Sequence, residues 1–175
     1  MHNTLREHIA EVKSKYPKYF KNQEVIEIGS LNINGSARSY FTDCKYTGVD
    51  LFEGPGVDVV DAGHKYLRGK SPTVVVCTEV LEHDRYWFRT LVSSIKSLKS
   101  GGFLLLSCAT SGRPIHGTSE HRPEDSPATN NYYRNILKSD IEECIDSWNV
   151  RDMIDWYEIT INEEACDLYL ELVKK

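Results

Sequence analysis

Residues 72–108 read PTVVVCTEVLEHDRYWFRTLVSSIKSLKSGGFLLLSC, and this stretch decides the fold. Pro72 to Val80 is a continuous apolar run of the kind found in a parallel strand covered on both faces, which places it at the centre of a sheet. Trp87, Leu91, Ile95 and Leu98 then recur at helical spacing, and Gly101-Gly102 closes that helix. Phe103 to Cys108 is the next buried strand. Strand, helix and strand in this order predict a right-handed crossover between parallel neighbours.

Working upstream, Val57 to Ala62 (VDVVDA), Tyr46 to Asp50 (YTGVD) and Glu24 to Ile28 (EVIEI) read as further strands, and the first two end in carboxylates. EVIEI is stopped by Gly29, followed by the polar loop SLNINGS and then ARSYF, long enough for about two helical turns. Before them, Leu5, Ile9, Val12 and Tyr16 form one face of an opening helix that ends near Pro17, with Thr4 and Glu7 as a capping box. Downstream, Ser139 and Glu142 form a second capping box, opening a helix with Ile141, Ile145 and Trp148 on one side. Asp152 to Ile161 and Cys166 to Val173 then read as strands close enough to pair antiparallel. The alternation predicts a doubly wound α/β sheet, mostly parallel, with a C-terminal antiparallel edge hairpin.

At 175 residues the chain predicts one domain, with the opening helix in residues 1–20 and the sheet in 24–173. Apolar residues at 40% and charged residues at 27% exclude a disordered, collagenous or membrane-spanning chain. A net charge of -5 is the wrong sign for generic binding to phosphate backbones, so a nucleic-acid partner is disfavoured. The five cysteines, without a C-x-x-C pair, predict reduced thiols rather than disulfides or a zinc ribbon. The charged N-terminus lacks the apolar core of a signal peptide, and the expected location is cytoplasmic.

Open α/β sheets bind ligands outside the carboxyl ends of their strands. That rule nominates Gly29 to Gly35, Asp50, Asp61, Ala62, Glu79 to His83 and the long loop Ala109 to Asn131. Asp50 ends the second strand, where a carboxylate can accept both ribose hydroxyls of an adenosine-containing cofactor. The loop EIGSLNINGS is not a G-x-G-x-x-G, which counts against a nicotinamide oxidoreductase.

In order and spacing, VIEIGS, GVDL, VDVVDA, CTEVLEHD and LKSGGFLLLS resemble the successive motifs of class I S-adenosyl-L-methionine-dependent methyltransferases. The resemblance runs from about Glu24 to Val173 and implies that family's seven-stranded Rossmann-like fold and its cofactor. It puts Glu27, Gly29 and Ser30 beside the methionine part, Asp50 and Leu51 on the ribose and adenine, and Asp61 and Ala62 at the adenine edge. Glu79, Val80 and Leu81 would line the pocket below the sulfonium. Where the family has a second glycine this chain has Leu31, so Asn32, Asn34 or Gly35 takes over that glycine's backbone contacts.

A sulfonium methyl is already electrophilic, so alignment of acceptor, methyl and sulfur supplies most of what the protein must provide. A general base is needed chiefly for a hydroxyl acceptor, and His83 and His116 are the candidates. Glu82 stands where the helix dipole favours an acid in any case. His116 and His121 share a polar loop, but H-x-x-x-x-H is not a standard ligand spacing, so no metal is expected. The loop itself is expected to be mobile and to close over the pocket when acceptor binds. The expected activity is methyl transfer to a small-molecule or sugar-like acceptor. The alternatives are a nucleic-acid or protein acceptor, and a non-catalytic S-adenosylmethionine-binding module; the oligomeric state stays open.

Overall fold

The computed structural model describes residues 2–175. Its elements are α1 (Asn3–Lys15), β1 (Glu24–Ile28), β2 (Lys45–Asp50), β3 (Val59–Val60), α2 (Gly63–Tyr66), β4 (Val74–Thr78), α3 (Trp87–Ser97), β5 (Phe103–Ala109), α4 (Lys138–Ser147), β6 (Ile154–Asn162) and β7 (Asp167–Lys174). They form one seven-stranded sheet in the order β3-β2-β1-β4-β5-β7-β6. The first five strands pair parallel, whereas β7 runs antiparallel to both β5 and β6.

The period of two along β4 and β5 feeds two cores. Val74, Val76, Phe103 and Leu105 face α1, packing on Leu5, Ile9 and Val12. Val75, Cys77, Leu104 and Leu106 face the other way, onto Leu91 and Ile95 of α3 and Ile141 and Ile145 of α4. Both faces of these strands are therefore sealed, which is why their sequence is a continuous apolar run instead of an alternating one. Each such side chain contributes about 1.5–3 kcal/mol by leaving water. The β1–β4 pairing sits at the reversal of strand order, so a crevice opens above their carboxyl ends.

Several local readings shift. Helix α1 is capped by His2 and starts at Asn3, so Thr4 lies inside it and its Oγ1 pairs with His2 Nδ1 at 2.7 Å instead of closing a box with Glu7. Helix α4 likewise has Leu137 at its cap, where the Leu137 N–H donates to Asp140 Oδ2 at 2.8 Å; Ser139 and Glu142 are already in the helix. In both cases the helix begins before the residue pair that fits the capping pattern. ARSYF makes a single 3-10 turn, Ala37–Tyr40, capped by the Ser36 hydroxyl. VDVVDA keeps only Val59–Val60 as strand, because Asp58 turns away to pair with Arg38 and to accept the Gly48 N–H. The last two strands begin and end one or two residues later than read.

The loop after β5 has no regular element except a 3-10 turn at Pro123–Asp125. It is nevertheless pinned at its end: the Arg134 N–H donates to Glu82 O at 2.9 Å and the Ile136 N–H to Ala109 O at 2.9 Å. The five cysteines are free thiols, and no helix among the described residues is long and apolar enough to cross a membrane.

Candidate active site

A cleft of about 1010 Å³ lies above the carboxyl ends of β1, β2, β3 and β4, bounded on its far side by residues 113–116 and 122–132. Of the residues nominated by sequence, Glu27, Gly29, Ser30, Asn34, Asp50, Leu51, Asp61, Ala62, Glu79, Val80, His83 and His116 line it. Two do not. Leu81 is fully buried in the core beside α3, and Asn32 points its amide oxygen back at the Gly35 N–H, 2.8 Å away. Of the three candidates for the missing glycine's contacts, Asn34 and Gly35 line the cleft.

Gly29 shows why the first turn is sharp. Its φ of 76° is left-handed, and a Cβ there would stand 2.1 Å from Val80 Cγ2. Only glycine lets β1 turn while the β4 loop closes against it. Beside it, Glu27 is 3% exposed and its Oε2 has no hydrogen-bond partner. Burial pushes its carboxyl up to about 7, with the Tyr46 hydroxyl and the Arg38 guanidinium opposing the shift only in part. The buried Ser30 hydroxyl is also unpartnered. Asp50 is held in place by two backbone donors: Leu31 N–H to Oδ2 at 3.1 Å and Phe52 N–H to Oδ1 at 3.0 Å. Each of its oxygens keeps a further lone pair for a ligand hydroxyl.

Across the cleft, Glu79 adopts a left-handed φ of 57°. It belongs to an ion network in which His2 and Arg113 both bridge to Asp167, at 3.0 Å each, and reach Glu79 Oε2 at 3.5 and 3.6 Å. Burial works to raise the Glu79 carboxyl, but His2, Ser107 and Arg113 outweigh it and hold it low. Hydrogen bonds from His2 to Asp167 and Glu79 raise the imidazole to about 9.

One turn on, Glu82 is fully buried; the Ala109 N–H donates to its Oε1 at 3.0 Å, and its Oε2 has no partner. Burial, and then the charge of Glu79, push this carboxyl well up. His83, 7% exposed, has an unpartnered Nδ1, and burial lowers it to about 4. At neutral pH it is an uncharged imidazole, and a weak proton acceptor. His116 reaches it from the loop, ring edge to ring face at 4.9 Å, with Tyr133 against both. The following residue favours glycine: Gly117 has φ 61°, and a Cβ there would meet His83 Cε1 at 2.6 Å unless the ring shifts. Sequence reading nominated Glu82 and Arg113 only by position, Glu82 within CTEVLEHD directly after the central strand and Arg113 within the long loop, and gave neither a role in the site. His121 is exposed and turned to Thr118, away from this group.

No family profile and no curated protein matches the chain. Solved structures do match in shape. A SAM-dependent methyltransferase from Archaeoglobus fulgidus is similar at 15% identity with a TM-score of 0.61, over 97% of this chain and 94% of that one. A 1,6-didemethyltoxoflavin-N1-methyltransferase from Burkholderia thailandensis, solved with its substrate and S-adenosylhomocysteine, is 16% identical with a TM-score of 0.65, over 97% and 77% of the two chains. The fold is that of class I methyltransferases. Magnesium protoporphyrin IX methyltransferase from Synechocystis PCC 6803, solved with SAM bound, shares it at 14% identity and a TM-score of 0.62, over 98% of this chain and 78% of that one. Within the methyltransferase fold, the antiparallel β7 inserted between β5 and β6 carries Asp167, and so brings the His2–Arg113 network to the cleft.

Proposed function

We propose that the chain is an S-adenosyl-L-methionine-dependent methyltransferase that acts on a small-molecule acceptor. The observation that carries this reading is the turn after β1, where glycine is required against Val80 and buried polar atoms of Glu27 and Ser30 wait without partners in the cleft. A carboxyl oxygen and a hydroxyl so placed suit the ammonium and carboxylate of a methionine moiety, and Asp50 suits a ribose diol. The similar structures solved with SAM or S-adenosylhomocysteine support the same cofactor here.

When bound, the cofactor supplies an activated methyl group. The chain's own contribution is alignment and exclusion of water. Leu51, Asp61 and Ala62 border the adenine end, whereas Glu79 and Val80 close the floor between cofactor and acceptor. Holding the reacting atoms in line is worth about 7–11 kcal/mol in favourable cases. The acceptor side is then the wall formed by His83, His116 and the loop through Tyr132, where Arg85, Arg89, Arg113 and Arg122 also line the cleft. Arg113 and Arg122 are already paired with carboxylates and the chain carries a net charge of -5, which fits a small molecule better than a polyanion.

Calorimetric titration with S-adenosylhomocysteine tests this directly. Binding in the micromolar range is expected, with Asp50→Ala weaker by about 1.5–3 kcal/mol through loss of a charged acceptor. Binding of NAD in its place, or an unchanged affinity in folded Asp50→Ala, would overturn the assignment.

A further inference from the structure

Two groups of potential ligands flank β4, and they differ in how complete they are. His2, Glu79 and Asp167 lie together, but the Arg113 guanidinium already occupies the space between the two carboxylates. Glu82, His83 and His116 each offer one atom, all within 4.8 Å of one another, and no cationic side chain bridges them among the described residues. Here the buried Glu82 Oε2 and His83 Nδ1 have no partner at all. Two such desolvated atoms side by side are unfavourable unless a proton held by Glu82 or a cation joins them, and a cation that displaces that proton joins both.

His116 completes the set in the right tautomer. Its Nδ1 stands 3.1 Å from the Pro114 carbonyl oxygen, which can only accept, so Nδ1 carries the hydrogen and Nε2 keeps its lone pair. A backbone carbonyl in that role is the usual support behind a metal-binding imidazole. Glu82 is oriented in the same way by the Ala109 N–H on its other oxygen. Donors sharing one cation at about 2.1 Å stand about 3–3.5 Å from each other, so closure needs a shift of about 1 Å.

We propose that Glu82, His83 and His116 bind one divalent transition-metal cation, and that this cation holds an oxygen of the methyl acceptor. Two imidazole nitrogens with one carboxylate suit manganese, iron, cobalt or zinc rather than the all-oxygen sets of magnesium and calcium. Three protein ligands leave coordination positions open, and the group lines the cleft through His83 and His116. The second half of the inference rests on the methyltransferase reading; the cation site does not. For a hydroxyl acceptor, the metal-bound O–H gives its proton to solvent. The oxygen lone pair then forms the bond to the methyl carbon as the carbon–sulfur bond breaks, its electron pair passing to sulfur. The products are a methyl ether and S-adenosylhomocysteine.

The test titrates the full chain, dialysed against EDTA, with Co²⁺ alone, reading its visible absorption, and in parallel with S-adenosylhomocysteine. One saturable Co²⁺ site with nitrogen-ligand bands is expected. His116→Ala and Glu82→Gln should each weaken it at least about 30-fold, and His121→Ala less than about threefold. S-adenosylhomocysteine binding serves as the folding control; should Glu82→Gln not fold, His116→Ala on the half-buried loop carries the test. No saturable Co²⁺ binding, or binding equal in wild type and His116→Ala, would overturn the site while leaving the cofactor reading standing. Co²⁺ binding without S-adenosylhomocysteine binding would do the reverse.

Discussion

On the β1–β2 side of the cleft, Gly29, Ser30 and Asp50 follow directly from paired strands, and both Gly29 and Ser30 donate to Val49 O of the neighbouring strand, at 2.9 and 3.2 Å. On the β4–β5 side, His116 meets Glu82 and His83 only because a long irregular loop folds back and is pinned at Arg134 and Ile136. The first half takes its shape from the sheet, so its geometry is as rigid as the core beneath it. The second takes its shape from a few loop contacts, so it can tolerate and require movement. A site that uses one invariant cofactor and one particular acceptor benefits from that division.

The sharpest way to break the comparison is Gly29→Val. The added side chain meets Val80 at the 2.1 Å Cβ position and forces a left-handed φ on a β-branched residue. Strain and overpacking together should destabilise the chain by about 3–5 kcal/mol and abolish S-adenosylhomocysteine binding, as read by denaturant melts and calorimetry. If the variant is stable and still binds, the first half is not set by the sheet.

Glu27→Gln probes the same half through pH. With the folded carboxyl raised to about 7 from its ordinary 4.5, the folded state binds the extra proton between those values. The contribution of Glu27 to wild-type stability is therefore highest below 4.5, falls as pH rises, and levels off above 7. Glutamine carries no such charge, so the unliganded variant should be more stable than wild type by about 3 kcal/mol at pH 8, and the difference should vanish by about pH 4. Cofactor affinity should fall at the same time, a trade of stability for binding. A pH-independent difference would mean that Glu27 is not the group that titrates.

Gly117→Ala tests the loop half. The new methyl meets the end of the His83 ring, which can shift, and the left-handed φ is a modest strain. Turnover should drop about 10–100-fold because His83 and His116 separate, with S-adenosylhomocysteine affinity changed less than about threefold. Equal losses in both would show that the halves are one rigid unit.

The same division explains what could be read from sequence. VVVCT and FLLLSCA are apolar because both sheet faces are sealed, and that local fact carries the strand order's centre with it. Asp50 and Gly29 were legible because they sit at the carboxyl ends of β2 and β1. Glu82, His83 and His116 were each visible, but not as a group: their proximity depends on Gly117 and on two loop hydrogen bonds, and spacing drew attention to His121 as the partner of His116. The cap positions failed for a different reason. Thr4 and Ser139 fit the pattern, yet other local bonds, Thr4 Oγ1 with His2 and the Leu137 N–H to Asp140, stand at helices that start earlier, at Asn3 and Lys138.

The smallest expected effect belongs to Asn32, where the resemblance and the geometry part. Its side chain faces away from the cleft and accepts the Gly35 N–H at 2.8 Å, in a solvent-exposed turn. A single exposed hydrogen bond of this kind is worth about 0.5–1.5 kcal/mol at most. The Asn32 N–H is separately tied to Pro55 O at 2.8 Å, so the backbone course of the loop does not hang on the amide. Asn32→Ala should therefore lower stability by less than about 1 kcal/mol and weaken S-adenosylhomocysteine binding no more than about fivefold, through looser placement of Asn34 and Gly35. A loss as large as that of Asp50→Ala would place the Asn32 side chain on the cofactor, and would mean that this loop rearranges when the cofactor binds, which would make the β1–β2 half no more preformed than the loop opposite it.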